Sequence, residues 1–217
     1  MNVKIVLARR GTQDWQESAD LVSKVFARSF GAEITPDPEE FIAYVAPGDD
    51  GRDAVQACIG VSFPENGPVF LERYLEGSLE ETLSRETGRP IERHQIVQLG
   101  SVASVQPLAG AEIYRAFPLI STCLGRSYAV MTMTDRSARL AARIGLITHR
   151  LCEADGSRLE PEELATWGTF YDQKPAVRWG TLADHTQQLF TGFERYALDS
   201  VDIRLLSIKR EELNRAA

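Results

Sequence analysis

The residues with the clearest chemical potential lie in the turn 106–111, which reads QPLAGA. This turn joins an apolar, β-rich stretch to a stretch with helical periodicity. Small residues in such a turn let backbone N–H groups approach a ligand, and the N-terminus of the following helix carries partial positive charge. The turn therefore predicts a phosphate site formed by Gln106, Ala109, Gly110 and Ala111. An ordinary tight connection between a strand and a helix can have the same composition, so both interpretations remain open.

Two further polar residues are candidates for binding a substrate. His94 precedes the apolar stretch, beside Glu92 and Arg93, and an imidazole can act as a base near neutral pH. Thr132 lies near the end of the next β-rich stretch, YAVMTMTD, beside the turn, and the following Asp135 is predicted to cap a helix. The three histidines of the chain are scattered and lack metal-ligand spacing, so no metal site is predicted.

The segment WGTFYDQKPAVRWG (residues 167–180) is dense in aromatic residues. Trp167, Phe170, Tyr171 and Trp179 could form a wall that contacts an acyl chain or the ring of an acceptor. Packing in a core is the commoner role of such a cluster. Trp167 is a candidate for binding substrate, and the hydroxyl group of Tyr171 makes it a candidate catalytic residue.

Composition limits the class of protein. A chain of 217 residues with a net charge of −7 suffices for one α/β domain and excludes a general nucleic-acid surface. Arg85, Arg89 and Arg93 form either a local basic pocket or a solvated face. The three cysteines are isolated, which indicates reduced thiols, and no apolar run is long enough to span a membrane. We expect a single domain over residues 1–217, cytoplasmic and without a membrane span.

Hydrophobic periodicity outlines the elements that must position these residues. Apolar residues at helical spacing predict a helix over residues 14–30 with Asp14 as its N-cap. Leucines four apart predict an amphipathic helix over 70–86, interrupted at Gly77-Ser78. The predicted strands cover 3–8, 41–46, 54–63, 95–105, 128–135 and 147–152, and an acidic loop covers 154–163. Mixed helix and strand patterns follow over 190–206, and a polar helix is predicted for 209–217.

The order strand, turn, helix, strand and helix from residue 95 to 146 resembles the core of the GNAT superfamily of N-acyltransferases. In that family the turn reads Q/R-x-x-G-x-G/A, and Gln106 and Ala111 match its first and last positions, with Ala109 where glycine is usual. Ala138 and the dipeptide Gly145-Leu146 match the ends of the later helix. Ala141 stands where many members have a tyrosine that protonates the leaving thiolate.

A more specific resemblance is to the thermostable hemolysin family, a GNAT-like group. It rests on LERYLEGSLEE (residues 71–81), IVQLGSVAS (96–104), MTMTD (131–135), LCEAD (151–155) and the aromatic segment 167–180. The sequence departs from the expected pattern at Gln98, where glutamate is usual, and at Ser101, where asparagine is usual. A glutamine cannot accept a proton at neutral pH but can orient a substrate, or it can be a satisfied polar residue within a sheet.

The resemblance implies an α/β (α+β) fold, with a mixed, largely antiparallel, twisted sheet and helices on both faces. It implies transfer of an acyl group from a coenzyme A or carrier-protein thioester to a small amine, without a tightly bound cofactor. Gln98 and Ser101 would orient the acceptor, and Tyr171 would replace the missing tyrosine. Backbone N–H groups of Ala103, Ser104 and Val105 would polarise the thioester carbonyl.

Two alternatives follow from the same resemblance. The acyl-homoserine-lactone synthases, also GNAT-like, suggest a synthase that uses S-adenosylmethionine. The family's name suggests a membrane-active protein, against which the acidic composition and the lack of a strongly basic amphipathic helix argue. The oligomeric state stays open.

Overall fold

The computed structural model describes residues 3–48 and 51–184, and the backbone of 201–203. The predictions made for 190–206 and 209–217 therefore lie outside the described residues, apart from a short strand at 201–203. His185 also lies outside them.

Eight strands and five α-helices have both ends within the described part of the chain, and a further helical segment begins at Leu182. The strands are β1 (Val3–Arg9), β2 (Glu40–Pro47), β3 (Asp53–Ser62), β4 (Ile96–Ser104), β5 (Tyr128–Met133), β6 (His149–Glu153), β7 (Ala176–Thr181) and β8 (Val201–Ile203). The helices are α1 (Gln13–Phe30), α2 (Leu79–Thr87), α3 (Pro107–Cys123), α4 (Asp135–Arg143) and α5 (Pro161–Thr166).

All strands belong to one sheet in the order β6-β7-β5-β4-β3-β2-β1-β8. Neighbouring strands are antiparallel, except that β4 pairs with β5 and β1 with β8 in parallel. The predicted fold class, a mixed and largely antiparallel sheet with helices, is confirmed.

Each face of the sheet is covered by its own apolar cluster. On the side we call the α3 face, Val97 and Leu99 of β4 pack with α3 and with Ala141 of α4. On the other side, the α1 face, the clusters contain residues of α1 and of α2, and Ile96 of β4 belongs to one of them. Alternate residues of a strand point to opposite faces, so Gln98 shares the α1 face with Ile96. Helices therefore cover both faces, as predicted.

Several element boundaries differ from the prediction. Thr12, rather than Asp14, caps α1 by accepting a hydrogen bond from the N–H of Trp15. The stretch 70–86 is a short 3₁₀ helix (Phe70–Tyr74) followed by α2, which Ser78 caps. The predicted acidic loop 154–163 includes the start of α5. Side-chain oxygens two or three residues from a helix start compete for the capping position, and periodicity does not distinguish among them.

Arg93 makes its hydrogen bonds within the fold. Its Nη1 donates to Glu72 Oε1 at 2.7 Å and to Glu80 Oε2 at 2.8 Å, and its Nε donates to the Pro64 carbonyl at 2.6 Å. Burial acts to raise the pKa of Glu72, but the hydrogen bonds from Arg93 and from the N–H of Val69 hold that pKa below its ordinary value. The acidic motif at 71–81 thus ties the 3₁₀ helix and α2 to the start of β4.

The backbone conformation and close packing at position 168 explain why glycine follows Trp167 in the aromatic segment. Its backbone is left-handed, with φ +53°, and a Cβ at this position would lie 2.2 Å from the carbonyl oxygen of Phe30. The next N–H, of Thr169, donates to that same oxygen at 2.9 Å, and the N–H of Glu33 donates to Thr166 O at 2.7 Å. The segment therefore packs directly on the C-terminal end of α1, and only glycine allows this approach.

We expect Gly168→Ala to lower the free energy of unfolding by about 3 kcal/mol or more, because the added methyl group overlaps backbone atoms. Gly88→Ala is the matched control, since Gly88 has φ +67° and no atom within 4 Å of the added Cβ. It should cost only about 1 kcal/mol, for backbone conformation alone. Urea denaturation of the two variants measures the difference. Equal losses would show that close packing on α1 does not require the glycine.

Candidate functional site

The candidate site is an opening in the middle of the sheet. The parallel pairing of β4 with β5 ends at Leu99 and Met131. Beyond that pair β4 continues to Ser104 and β5 to Met133. The two strands therefore diverge, and their facing edges carry N–H and C=O groups without a strand partner. We call this opening the cleft.

A β-bulge on β4 lies where the divergence begins. Cys58 of β3 pairs with Ala103 and Gly60 pairs with Gly100, so Ser101 and Val102 together oppose a single residue of β3. Ser101 takes the left-handed conformation, with φ +51°. Asparagine adopts this conformation more readily than most residues, so the bulge suits the asparagine that the resemblance leads us to expect at this position.

The turn 106–111 forms an uncapped helix start beside the cleft. Gln106 is the N-cap of α3, and its side chain accepts no capping hydrogen bond. The N–H of Gly110 donates to Gln106 O, whereas the N–H groups of Leu108 and Ala109 have no acceptor within the described part of the chain. Ser104 Oγ donates to Gln106 O and so braces the turn. These free N–H groups and the helix dipole favour an anion.

The three backbone N–H groups predicted to polarise the thioester carbonyl do not all face the cleft. The N–H of Val105 donates to Gln56 O of β3 at 2.8 Å, and Ala103, two residues earlier, pairs with Cys58 in the same antiparallel ladder, so its N–H also faces β3. Both therefore point away from the cleft. Because N–H directions alternate along a strand, the N–H of Ser104 points towards the cleft. Of the three predicted residues, Ser104 is the one available to polarise a bound carbonyl.

Gln98 and Thr132 lie on the α1 face of the cleft. Gln98 is 8% exposed, and its Oε1 accepts a hydrogen bond from the N–H of Leu71 at 2.9 Å. Thr132 follows Met131, which packs on the α3 face, so alternation directs Thr132 to the α1 face. Gln98 is thus hydrogen-bonded to the 3₁₀ helix, and Thr132 lies beside the point where β4 and β5 diverge.

The α3 face of the cleft contains a tyrosine that the sequence reasoning missed. Tyr114 lines a narrow apolar slot together with Leu99 and Met131, the last paired residues of β4 and β5. It is 8% exposed, and burial raises its pKa to about 12. In the sequence, Tyr114 lies among apolar residues of α3 such as Ile113 and Phe117. That pattern favours a role in the core and does not indicate that Tyr114 lines the slot.

The remaining predicted residues, His94 and Tyr171, are held by contacts of their own. His94 lies in the short 3₁₀ helix Arg93–Gln95 before β4 and contacts Glu92, with 3.2 Å between Nδ1 and Oε2. The strand segment from Ile96 to Ser101, about 16 Å long, separates it from Ser101. The Tyr171 hydroxyl forms a hydrogen bond with the Tyr74 hydroxyl on the α1 face.

The aromatic segment divides into two parts rather than one wall. Trp167 packs with Phe26, Phe70, Phe170 and Tyr171, with ring centroids 5.3 to 6.2 Å apart. Trp179 instead contacts Tyr128 and His149. Most of these rings pack in the fold.

Two absences apply to the described residues only. They contain no group of three or more histidine, cysteine, aspartate or glutamate side chains placed to hold a metal ion. None of their helices combines the length and the apolar character that crossing a membrane requires.

A mixed sheet whose parallel central strands diverge beside a bulge and an open helix start defines a GNAT-like α/β protein. More specifically, the chain belongs to the thermostable hemolysin family, whose profile matches residues 8–201. No curated protein was found to match the sequence.

Solved structures with the same fold include several synthases. The coenzyme A-dependent acyl-homoserine lactone synthase BjaI, with S-adenosylmethionine and isopentyl-CoA, superposes with a TM-score of 0.58 at 11% identity, over 100% of this chain and 99% of its own. The acyl-homoserine lactone synthase LasI gives 0.56 at 17% identity, over 88% and 95%. FeeM, an N-acyl amino acid synthase from uncultured soil microbes, gives 0.53 at 10% identity, over 88% and 95%.

We expect Gln106→Asp to stabilise the protein and to weaken binding of an acyl-CoA. Aspartate is a better N-cap than glutamine, which should add about 0.5–1 kcal/mol to the free energy of unfolding. Its carboxylate would occupy the free N–H groups and repel a phosphate, so the donor Kd should rise about 10-fold or more.

Glu160→Asp is the matched control, because Glu160 is the uncapped N-cap of α5. It should not change donor affinity. Calorimetry measures both effects, and unchanged donor binding in Gln106→Asp would place the phosphates elsewhere.

Proposed function

We propose that this protein transfers an acyl group from a thioester donor, coenzyme A or carrier-protein bound, to a small amine. The observation that carries the proposal is the cleft between β4 and β5, which ends beside the uncapped start of α3. An extended pantetheine arm can pair with the open strand edges, while its phosphate contacts the N–H groups of α3. The synthase structures that share the fold agree with this chemistry.

The two faces of the cleft would hold the two substrates. Helix α3 covers one face of the sheet. A donor whose phosphate is bound at the N-terminus of α3 would therefore have its sulfur on that face, near Tyr114. The amine then reaches the carbonyl carbon from the α1 face, past Thr132. The N–H of Ser104 would stabilise the oxyanion that forms on the carbonyl oxygen.

The step transfers two protons. The amine attacks as its neutral form, the new C–N bond replaces the C–S bond, and the nitrogen then loses a proton to water. The departing thiolate takes the proton of the Tyr114 hydroxyl, which solvent restores. Gln98 does not accept a proton here, because a neutral amide is not a base at physiological pH; its Oε1 instead accepts the N–H of Leu71.

Tyr114 would also take the role of the tyrosine that many GNAT members have where this chain has Ala141. Ala141 is fully buried in the same apolar cluster as Tyr114. The small side chain of Ala141 leaves room in that cluster, and α3 supplies the phenol instead of α4. With its pKa raised to about 12, this phenol stays protonated throughout the physiological pH range.

A second candidate is a synthase in which S-adenosylmethionine is the amine. The structure of BjaI contains S-adenosylmethionine with isopentyl-CoA, and that of TofI contains MTA with an inhibitor. TofI superposes with a TM-score of 0.53. The acyl transfer would be the same, and only the acceptor would differ.

A thermal-shift series tests these functions. Coenzyme A and acyl-coenzyme A should each raise Tm, by about 5–11 °C at 100 times Kd for a chain of this size. Stabilisation by S-adenosylmethionine in addition would favour the synthase. Stabilisation by S-adenosylmethionine alone would contradict the acyl-coenzyme A donor, and rapid leakage of liposomes by the purified protein would favour the membrane-active alternative.

We expect Tyr114→Phe to reduce kcat about 100-fold or more with little change in donor KM, because a general acid acts on the leaving group and not on binding. Tyr171→Phe is the matched control, since the Tyr171 hydroxyl bonds Tyr74 on the opposite face. The kcat values of both variants are measured with an acyl-coenzyme A substrate, by following the released thiol with a thiol-trapping reagent. A larger loss of kcat in Tyr171→Phe than in Tyr114→Phe would show that Tyr171 is the general acid.

A further inference from the structure

One side of this acidic protein is basic. Arg136, Arg139 and Arg143 are spaced three and four apart on α4, so they share one face of the helix, within about 10 Å along its axis. All three are exposed, and none has an ion pair or a hydrogen-bonded side chain within the described residues. Arg136 even lies in the first turn, where the helix dipole disfavours a cation.

Two more arginines adjoin this stripe. Arg150 of β6 lies directly opposite Arg178 of β7, and like charges in that relation destabilise a sheet, although Arg150 Nη2 also lies 3.2 Å from Glu153 Oε1. Arg178 Nε donates to Thr148 Oγ1 at 2.8 Å and lines a hollow of about 410 Å³ with Ala138 and Ala142 of α4. The segments α4, β6 and β7 thus contain five arginines but only two carboxylates, while the chain carries a net charge of −7.

Exposed apolar side chains accompany these charges. Leu140 is 54% exposed and lies one turn from Arg136 and from Arg143. Ile147, 48% exposed, lines the hollow beside α4. A free nucleotide would use the charges but would leave these apolar groups in water. Charged and apolar groups side by side are typical of a surface that binds another protein.

The position of this surface connects it to the cleft. Helix α4 begins directly after β5, the strand that forms one wall of the cleft, and Thr134 caps it there. A partner bound along α4 is therefore next to the site of acyl transfer. We define the arginine face as Arg136, Arg139, Arg143, Leu140 and Ile147.

We propose that the arginine face docks an acidic acyl carrier protein, which delivers the acyl thioester to the cleft on its phosphopantetheine arm. This rests on the proposed acyl transfer and names its donor. Acidic side chains of the carrier pair with the arginines, its apolar residues cover Leu140 and Ile147, and its arm enters between β4 and β5. The phosphodiester of that arm contacts the free N–H groups of α3.

Binding of an acyl carrier protein of fatty-acid synthesis in its apo form, which lacks the arm, tests docking without catalysis. The wild-type protein should bind it, more weakly as salt is raised, and Arg136→Glu/Arg139→Glu/Arg143→Glu should bind it at least about 10-fold more weakly. The matched control, Lys24→Glu/Arg85→Glu/Arg89→Glu, reverses three exposed charges elsewhere and should bind as the wild type does. Leu140→Ser should weaken binding several-fold without changing charge.

Turnover separates this proposal from the proposed function. The ratio of the rate with octanoyl carrier protein to the rate with octanoyl-coenzyme A should fall about 10-fold in the triple α4 variant. Transfer from octanoyl-coenzyme A with no binding of the carrier, or equal binding by both triple variants, would overturn docking and leave acyl transfer standing. Specific binding of the apo carrier without transfer from either donor would support docking and contradict acyl transfer.

Discussion

A sheet that loses its pairing in the middle must stabilise two unpaired strand edges, and the rest of this structure depends on that constraint. Between β4 and β5 the pairing stops at Leu99 and Met131, so polar backbone groups face an opening inside the sheet. The bulge at Ser101 bends β4 away from β5 while its pairing with β3 continues. The divergence is thus built into β4 itself, and the antiparallel strands on either side hold it.

The elements around the cleft act as supports for its two walls. On the α1 face, Gln98 holds the 3₁₀ helix through the N–H of Leu71, and Arg93 ties that helix and α2 to the start of β4. On the α3 face, Ser104 braces the turn that leads into α3. A Cβ on Gly110 would lie 3.1 Å from Ser104 Oγ, so glycine permits this close approach. Gln98, which departs from the family pattern, therefore has a clear structural role.

Much of the fold could be predicted from sequence, because alternation and helical spacing are local properties. The strands 41–46 and 54–63 and the break at Gly77-Ser78 were found this way, and their observed bounds differ by a residue or two. The site was harder to predict. The direction of the Ser104 N–H follows from pairing with β3, and the place of Tyr114 follows from where two strands part. Neither depends on residues near in sequence.

Two anion-binding features of different kind flank the cleft, and their separation bears on the donor. At the start of α3 the attraction comes from backbone N–H groups and a helix dipole, which act over a short range and suit one phosphate. Along α4 it comes from side-chain charges spread over three helical positions with Leu140 among them. One small ligand needs only the first feature. A protein that carries its phosphate on a long arm uses both, because its arm and its surface are bound at different places.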